Sequence, residues 1–340
     1  MLNPSFAKIR VLVVGLGSAG MRHVENLLSL GVRDVTACSE WRKLKQLAVG
    51  GREVEVVNDY LQALDRNPDA VFIANPTSFH VAYLEKAVER GCHVYVEKPL
   101  AAASSAGHAA ILRRILERKS VVAVGHQLRF NECLRRLKSQ LSNGVIGRIL
   151  HVHVDMGEFL PDYHPDEDYR VGYAARAELG GGVLSTQIHD INYLHWLLGP
   201  FQRVYAVGGK ISELEIDVED SVSFLMKANG CPVTVHMDYL QRCRERLVIV
   251  TGELGTLTWN YYLNTLMLSN GLGQTETGPG GSLVRNEMFL AAASDFLTCI
   301  QTQARPTTDF REAVMDLTVV DAIRDSFSSD KAVTVCYDVA

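Results

Sequence analysis

The chain has 340 residues, 47% hydrophobic and 21% charged, enough to bury a core in each of two domains, and its net charge of −5 offers no basic stripe for nucleic acid. Seven widely spaced cysteines without a Cys-x-x-Cys pair read as reduced thiols and exclude a disulfide framework or a zinc knuckle. No segment reaches the ~20 apolar residues of a membrane span and no signal peptide is visible, so the expected location is cytoplasmic, with neither membrane nor nucleic acid as partner.

Up to residue 125, short β-branched runs alternate with longer amphipathic segments. Lys8–Val14 reads as a strand, followed by a glycine turn and a helix over Ala19–Leu30. Val35–Cys38 is the next strand, then a helical pattern over Arg42–Val49, a short strand at Val54–Val57 and a helix over Asp59–Asp65. Ala70–Ala74 is an apolar strand between Pro68 and Pro76. His80–Arg90 is a helix stopped by Gly91, His93–Val96 a strand, Ser104–Lys119 a helix and Val121–Val124 a last strand. Strands apolar at every position are buried on both faces, which implies a parallel sheet covered by helices. Residues 1–125 are therefore expected to form a doubly wound α/β dinucleotide-binding domain of the Rossmann type.

Beyond residue 145 the pattern changes. Ile149–Glu158 alternates, with His151, His153 and Asp155 on one face and Val152, Val154 and Met156 on the other. Gln202–Gly209, Ser221–Lys227, Val233–Leu240, Leu247–Thr251 and Thr256–Trp259 follow as strands, interrupted earlier by one helix over Gly182–Leu198. Strands in succession imply a large, mostly antiparallel sheet, so residues 126–340 are expected to be an α+β domain for substrate binding and oligomerisation. The glycine-rich stretch 271–282 is expected to be a mobile loop. Helices are expected over Arg285–Gln303 and Asp309–Ser328, returning to pack on the first domain. No internal repeat is visible.

Gly15-Leu16-Gly17-Ser18-Ala19-Gly20 lies between the first strand and the first helix. The first glycine permits a tight turn, the second lets backbone approach a pyrophosphate, and the third lets helix pack on strand. The helix N-terminus then offers N–H groups to phosphate. Ser39-Glu40 stands about 20 residues on, where a ribose reader belongs. Glu40 suits the ribose hydroxyls of NAD, whereas Ser39 with Arg42 or Lys43 suits the 2′-phosphate of NADP. A carboxylate repels that phosphate, which favours NAD.

Other features leave alternatives open. Tyr163-His164-Pro165 and Asp168-Tyr169-Arg170 offer aromatic rings and paired polar groups to a sugar, and Arg170 can grip a carboxylate or phosphate. The same residues can instead close a structured loop, with Asp168 and Arg170 as an internal ion pair. His151, His153, His164 and His189 lack the carboxylate or thiol spacing of a metal site, so no metal is expected. Arg242, Arg244 and Arg246 alternate, either as edge-strand charges or as contacts to a nucleotide-linked substrate.

Glu97-Lys98-Pro99 follows the strand His93–Val96. With the glycine turn and Asn75-Pro76-Thr77 it resembles the glucose-fructose oxidoreductase/inositol dehydrogenase (Gfo/Idh/MocA) family. The likeness continues through His126-Gln127-Leu128-Arg129-Phe130, Asp168-Tyr169-Arg170, Gly180-Gly181-Gly182-Val183-Leu184 and Ile188-His189-Asp190-Ile191-Asn192-Tyr193-Leu194, and covers nearly the whole chain. The segment from Tyr163 to Gly199 looks most like the branch acting on nucleotide-linked or other acidic and amino sugars. The resemblance implies an NAD(P)-dependent enzyme that transfers a hydride to or from a ring carbon of a sugar, with the active site between the domains. It also implies a homo-oligomer, dimer or tetramer, built through the C-terminal sheet.

By the same resemblance, Lys98 is the catalytic lysine that polarises the reacting oxygen and His189 the proton shuttle. Cofactor contacts fall to Gly15, Gly17, Ser18, Ala19, Gly20, Ser39, Glu40, Arg42, Asn75, Pro76, Thr77, His80, Glu97 and Lys98. Substrate contacts fall to Lys98, Arg129, Tyr163, Asp168, Tyr169, Arg170, Ser185 and His189. Two positions depart from the family. Ser185 stands four residues before His189, on the same expected helix face, where many members have Asp, and Asn192 replaces an Asp three residues after it. A serine cannot raise the histidine pKa as a carboxylate does. Asp190 is a poor substitute, since consecutive helix residues point about 100° apart. These departures keep a dinucleotide-binding sensor without turnover in play, and a cyclitol such as an inositol is the alternative substrate.

Overall fold

A computed structural model gives the fold over residues 4–337, so the extreme ends of the two expected domains, residues 1–3 and 338–340, lie outside the described residues. In chain order the first elements are β1 (Arg10–Val14), α1 (Ser18–Ser29), β2 (Asp34–Cys38), β3 (Gln46–Val49), β4 (Arg52–Val57), α2 (Tyr60–Leu64), β5 (Ala70–Ile73), α3 (His80–Glu89), β6 (His93–Val96), α4 (Gly107–Arg118) and β7 (Val122–Val124). Then come α5 (Glu132–Ser142), β8 (Ile149–Gly157), α6 (Val183–Thr186), α7 (Ile188–Leu198), β9 (Phe201–Gly209), β10 (Ser221–Ala228), β11 (Cys231–Asp238), β12 (Glu245–Gly252) and β13 (Gly255–Asn260). The last are β14 (Thr265–Asn270), β15 (Gly273–Glu276), α8 (Arg285–Thr302), α9 (Phe310–Ser329) and β16 (Val333–Thr334). Two compact units result. The described residues up to Gln127 join Arg285–Val314 in one, and Leu128–Val284 join the residues from Met315 onward in the other.

In the first unit a seven-stranded sheet has the order β3-β4-β2-β1-β5-β6-β7. β1 pairs in parallel with both β2 and β5, and β5–β6, β6–β7 and β2–β4 are parallel too. Every residue of β5 is buried, as strands covered on both faces require. The strand order reverses between β1 and β5, the switch point where doubly wound sheets take ligands at their carboxyl ends. Helix α8 belongs to this unit. Asn26 and Asn286 exchange amide hydrogen bonds at 3.2 and 2.9 Å, and Phe296 packs edge-on against Phe72 and Tyr95.

The helix expected over Arg42–Val49 is not formed. Its second half is β3, paired antiparallel with β4 and with Val49 opposite Arg52. Gly50 and Gly51 lie at φ +56° and +77°, the left-handed backbone that a two-residue hairpin turn demands. Pairing along the sheet overrides the helix-friendly Arg42–Lys45 stretch.

The second unit holds a nine-stranded sheet of order β15-β14-β13-β12-β8-β11-β10-β9-β16, antiparallel except where β8 meets β11. Burial along β8 alternates as expected, with Val152, Val154 and Met156 fully buried. Three expectations need correction. Gly273–Glu276 inside the supposed mobile loop is β15, which pairs with β14 across a turn that Asn270 Oδ1 caps by accepting from Leu272 N–H at 2.9 Å. Arg242 and Arg244 precede β12, which is an interior strand between β8 and β13, so the arginines are not edge-strand charges. The single helix Gly182–Leu198 is broken at Gln187 (φ −104°, ψ 24°) into α6 and α7.

Candidate cofactor and active site

Four strand ends carry the candidate residues of the first unit. Gly15 leaves β1 at φ +91°, and a Cβ there would sit 2.7 Å from the backbone of Ala74 and Asn75. A Cβ on Gly20 would lie 1.8 Å from the Gly15 carbonyl oxygen, so only glycine lets α1 close on the strand. Gly17, by contrast, faces open space. The first backbone bond of α1 runs from Met21 N–H to Gly17 O, which leaves the N–H groups of Ser18, Ala19 and Gly20 at the helix mouth. These are the conditions for seating a pyrophosphate.

At the end of β2, Ser39 is buried and its hydroxyl accepts from Arg42 N–H at 3.0 Å. Glu40 is exposed, and its carboxylate is braced by Tyr83 OH and by Tyr60 N–H. Burial, and then the bond to Glu40, push the Tyr83 hydroxyl pKa up, so that oxygen stays a donor. The Arg42 side chain is exposed. After β5, Pro76 opens a 3-10 turn over Thr77–Phe79 in which Thr77 is buried, while Asn75 Oδ1 is buried without a partner among the described residues. An orphaned acceptor beside the glycine turn fits a missing ligand donor. The open amides at the mouth of α1, the exposed Glu40 carboxylate and this acceptor together suit NAD.

Glu97, Lys98 and Pro99 follow β6 on the same carboxyl edge. Lys98 is half-buried. Glu97 Oε1 lies 2.7 Å from His23 Nε2 on α1. Burial alone would raise the Glu97 pKa, but the His23 bond and the charges of His23, Lys98 and His80 hold it below the ordinary range. His80 differs from expectation. It is buried, with Nδ1 2.8 Å from the Pro99 carbonyl and Nε2 2.8 Å from the Asn75 carbonyl. It ties the Asn75 and Pro99 loops together rather than offering itself to cofactor.

In the second unit, His189 is buried in the first turn of α7. The break at Gln187 removes the shared helix face that would have set Ser185 beside it. Ser185 Oγ instead accepts from Arg324 Nη2 at 2.8 Å, and Arg324 also reaches Glu219 at 3.0 Å. Asn192 donates to Asp316 Oδ2 at 2.7 Å. Arg129 is buried, with its guanidinium over the Trp196 ring at 4.4 Å and Nη1 3.5 Å from Asn192 Oδ1, so it braces α7 rather than standing open to a substrate.

Around Gln187 lies a polar network that joins Tyr163 and Arg246, both singled out in the sequence, to Glu158 and Tyr262. Gln187 Nε2 donates to Tyr163 OH at 2.6 Å and to Glu158 Oε2 at 3.2 Å, and Gln187 Oε1 accepts from Arg246 Nη2 at 2.6 Å. Tyr262 OH donates to Glu158. Arg246 also pairs with the buried Asp190 at 3.1 Å. Burial works against the Arg246 charge, but Asp190 and Glu158 more than offset it, so the guanidinium stays charged. Asp190 therefore serves Arg246, and its Oδ1 accepts from Tyr193 OH at 2.5 Å. The sequence signals for this network are Tyr163 and the alternating arginines, and nothing in the sequence marks Gln187 as its hub.

Asp168, Tyr169 and Arg170 form an exposed 3-10 turn. Arg170 binds Asp168 at 2.8 Å and Glu215 at 3.0 Å, and Tyr169 OH accepts from Glu215 N–H at 3.3 Å, which is the internal ion pair of the alternative reading. His151 and His153 both meet Thr234 Oγ1, at 3.3 and 3.0 Å.

The comparisons with known proteins agree with this arrangement. The oxidoreductase family with an NAD-binding Rossmann fold matches residues 9–126, and the Gfo/Idh/MocA C-terminal domain matches residues 134–258. An inositol 2-dehydrogenase/D-chiro-inositol 3-dehydrogenase of Lacticaseibacillus casei is 24% identical over 281 residues, 78% of this chain and 77% of that protein. The scyllo-inositol 2-dehydrogenase (NAD(+)) of Bacillus subtilis is 25% identical over 337 residues, 94% of each chain. The WlbA dehydrogenase of Bordetella pertussis, solved with NADH and UDP-GlcNAcA, shares the fold at a TM-score of 0.81 and 22% identity, covering 97% of this chain and 100% of that one. With glycine turn, Glu97-Lys98-Pro99 loop and both domains matched, the chain belongs to the Gfo/Idh/MocA family of NAD-binding oxidoreductases.

Proposed function

We propose that the protein is a dehydrogenase moving a hydride between NAD and a hydroxyl- or keto-bearing ring carbon of a sugar or cyclitol. The observation that carries this is Lys98, set on the same carboxyl edge of the sheet as the Gly15–Gly20 turn and the orphaned Asn75 acceptor. Gly17, Ser18, Ala19 and Gly20 hold the pyrophosphate and Glu40 the ribose. Bound NAD supplies the hydride acceptor or donor. Lys98 stabilises negative charge on the reacting oxygen, and His189 takes or returns its proton. Ser185 cannot assist as a carboxylate would, since Arg324 engages it. Arg170 is neutralised by Asp168 and Glu215, which favours an uncharged ring polyol, as do the relatives named inositol dehydrogenases.

A second reading, a nucleotide-linked acidic sugar, is favoured by Arg242 over Phe159 at 3.5 Å and Arg244 over Tyr262 at 4.8 Å. The test is NADH formation over a panel of inositols, free sugars and UDP-sugars, with Lys98→Met and His189→Asn beside the wild type. Loss of one polarising group should cost about 10²–10³ in kcat. NADH binding without turnover on any polyol would point to the sensor reading. The exposed Tyr205, Val207 and Leu225 on one face of the second sheet support assembly as a homo-oligomer through that sheet, which light scattering can test.

A further inference from the structure

His23 lies one turn into α1, three residues after Gly20, and its side chain is 1% exposed. Its ring packs against the stacked pair Phe72 and Tyr95, with both centroids 5.2 Å away. Nε2 meets Glu97 Oε1 at 2.7 Å, whereas Nδ1 has no partner among the described residues. A carboxylate only accepts, so Nε2 carries the proton. The other side of Glu97 is closed by Gly125 at the end of β7, where a Cβ would come within 3.0 Å of Glu97 Oε2. An apolar cage, one hydrogen bond and a glycine floor leave the Glu97 side chain a single place. The residue so fixed is the immediate neighbour of Lys98. The helix that fixes it is the one whose N-terminus faces the pyrophosphate.

We propose that His23 is a positioning residue for Lys98, locking the Glu97–Pro99 loop to α1 so that the phosphate seat and the lysine ammonium keep one register. The inference rests on the dehydrogenase reading for its kinetic consequence but not for its geometry. Glu97 carries the restraint from His23 to the lysine, and His80 holds the far end of the same loop through the Pro99 carbonyl. The buried histidine thus couples cofactor seat and reacting group without touching either ligand.

The experiment compares wild type, His23→Leu and His23→Gln. Leucine fills the cage but cannot donate, whereas glutamine keeps an N–H at about the reach of Nε2. Both variants should bind NADH within about threefold of wild type, since neither alters the phosphate seat. His23→Leu should lose about 10- to 100-fold in kcat with KM for the polyol little changed, the scale of a roughly 1 Å misplacement, and His23→Gln should recover most of it. A readout independent of turnover is the acylation rate of Lys98 in the NADH-bound protein, followed by peptide mass spectrometry against the exposed Lys43. That ratio should change at least about threefold in His23→Leu and return in His23→Gln. An unchanged ratio in both variants, or equal changes in both, overturns the positioning role even if no substrate is found. Wild-type inactivity on every polyol overturns the dehydrogenase reading alone. Loss of NADH binding in His23→Leu shows that the histidine serves the phosphate seat instead and also overturns the proposal.

Discussion

Substituting alanine separately at Gly17 and Gly20 should divide binding from folding within one turn. At Gly17 the backbone is extended (φ −75°, ψ −171°) and a Cβ meets no atom within 4 Å. Folding should be nearly indifferent, because the ~0.4–1 kcal/mol gained by restricting the unfolded chain offsets the small loss of a poorer N-cap. Cofactor affinity should not be indifferent, since the methyl occupies the space through which backbone approaches phosphate. Losing one charge-assisted hydrogen bond of about 1.5–3 kcal/mol weakens NADH binding roughly 10- to 100-fold. Gly20→Ala places its Cβ 1.8 Å from the Gly15 oxygen, a backbone atom that no side-chain rotation can clear. Helix α1 or the turn must move by more than about 1 Å, at the upper end of the ~1–3 kcal/mol typical of overpacking or beyond it. Urea titration and NADH fluorescence titration on both variants supply the readouts. If Gly17→Ala binds NADH like wild type, the phosphate is not seated at this turn. If Gly20→Ala is as stable as wild type, the close approach is not a constraint.

Glu40→Ser removes the carboxylate braced by Tyr83 and Tyr60, so NADH affinity should fall about tenfold while NADPH affinity rises; calorimetry with both dinucleotides decides, and no gain for NADPH refutes the ribose role. Arg246→Met leaves the buried Asp190 without its cation, held by Tyr193 OH, and should cost about 3–5 kcal/mol, whereas Asp190→Leu with Arg246→Met should recover most of it in urea unfolding. His236 lies 2.8 Å from Asp238 Oδ2, and that hydrogen bond raises its pKa above the ordinary 6.5. Its contribution is therefore complete below pH ~6.5 and lost as pH rises through the folded value. The Tm deficit of His236→Gln should shrink between about pH 6 and pH 9, and a constant deficit contradicts the pair.

Most of the fold was legible because its signals are local. β5 reads as an unbroken apolar run and β8 alternates, so their burial followed from composition and period alone. The failures share a cause. Arg42–Val49 has helical residues, yet two consecutive glycines with positive φ fold it back on Arg52–Val57, and the pairing partner decides. Gly273–Glu276 is fully exposed, so neither hydrophobic period marks it as a strand. Helix α5 carries both signals the sequence offers, an Asn131 cap that accepts from Leu134 N–H at 3.0 Å and an apolar stripe of Cys133, Leu134 and Leu137.

The site was legible where glycine and motif chemistry fix the backbone, and illegible where one side chain recruits another across the fold. His23 could have been found by helix arithmetic, since it lies one turn beyond Gly20 on the face that α1 buries. The Ser185 substitution could not be judged from sequence, because spacing by four assumes an unbroken helix. The break at Gln187 changes what the missing aspartate means. Ser185 accepts from Arg324, which also pairs with Glu219, and the Gln187 side chain binds Tyr163, Glu158 and Arg246, so the residues before His189 are committed to structural partners. A carboxylate at 185 would meet the Arg324 cation that the serine hydroxyl now engages. Restoring it as Ser185→Asp should therefore tighten the Arg324 contact and raise the urea midpoint, and an unchanged or lower midpoint refutes the pairing.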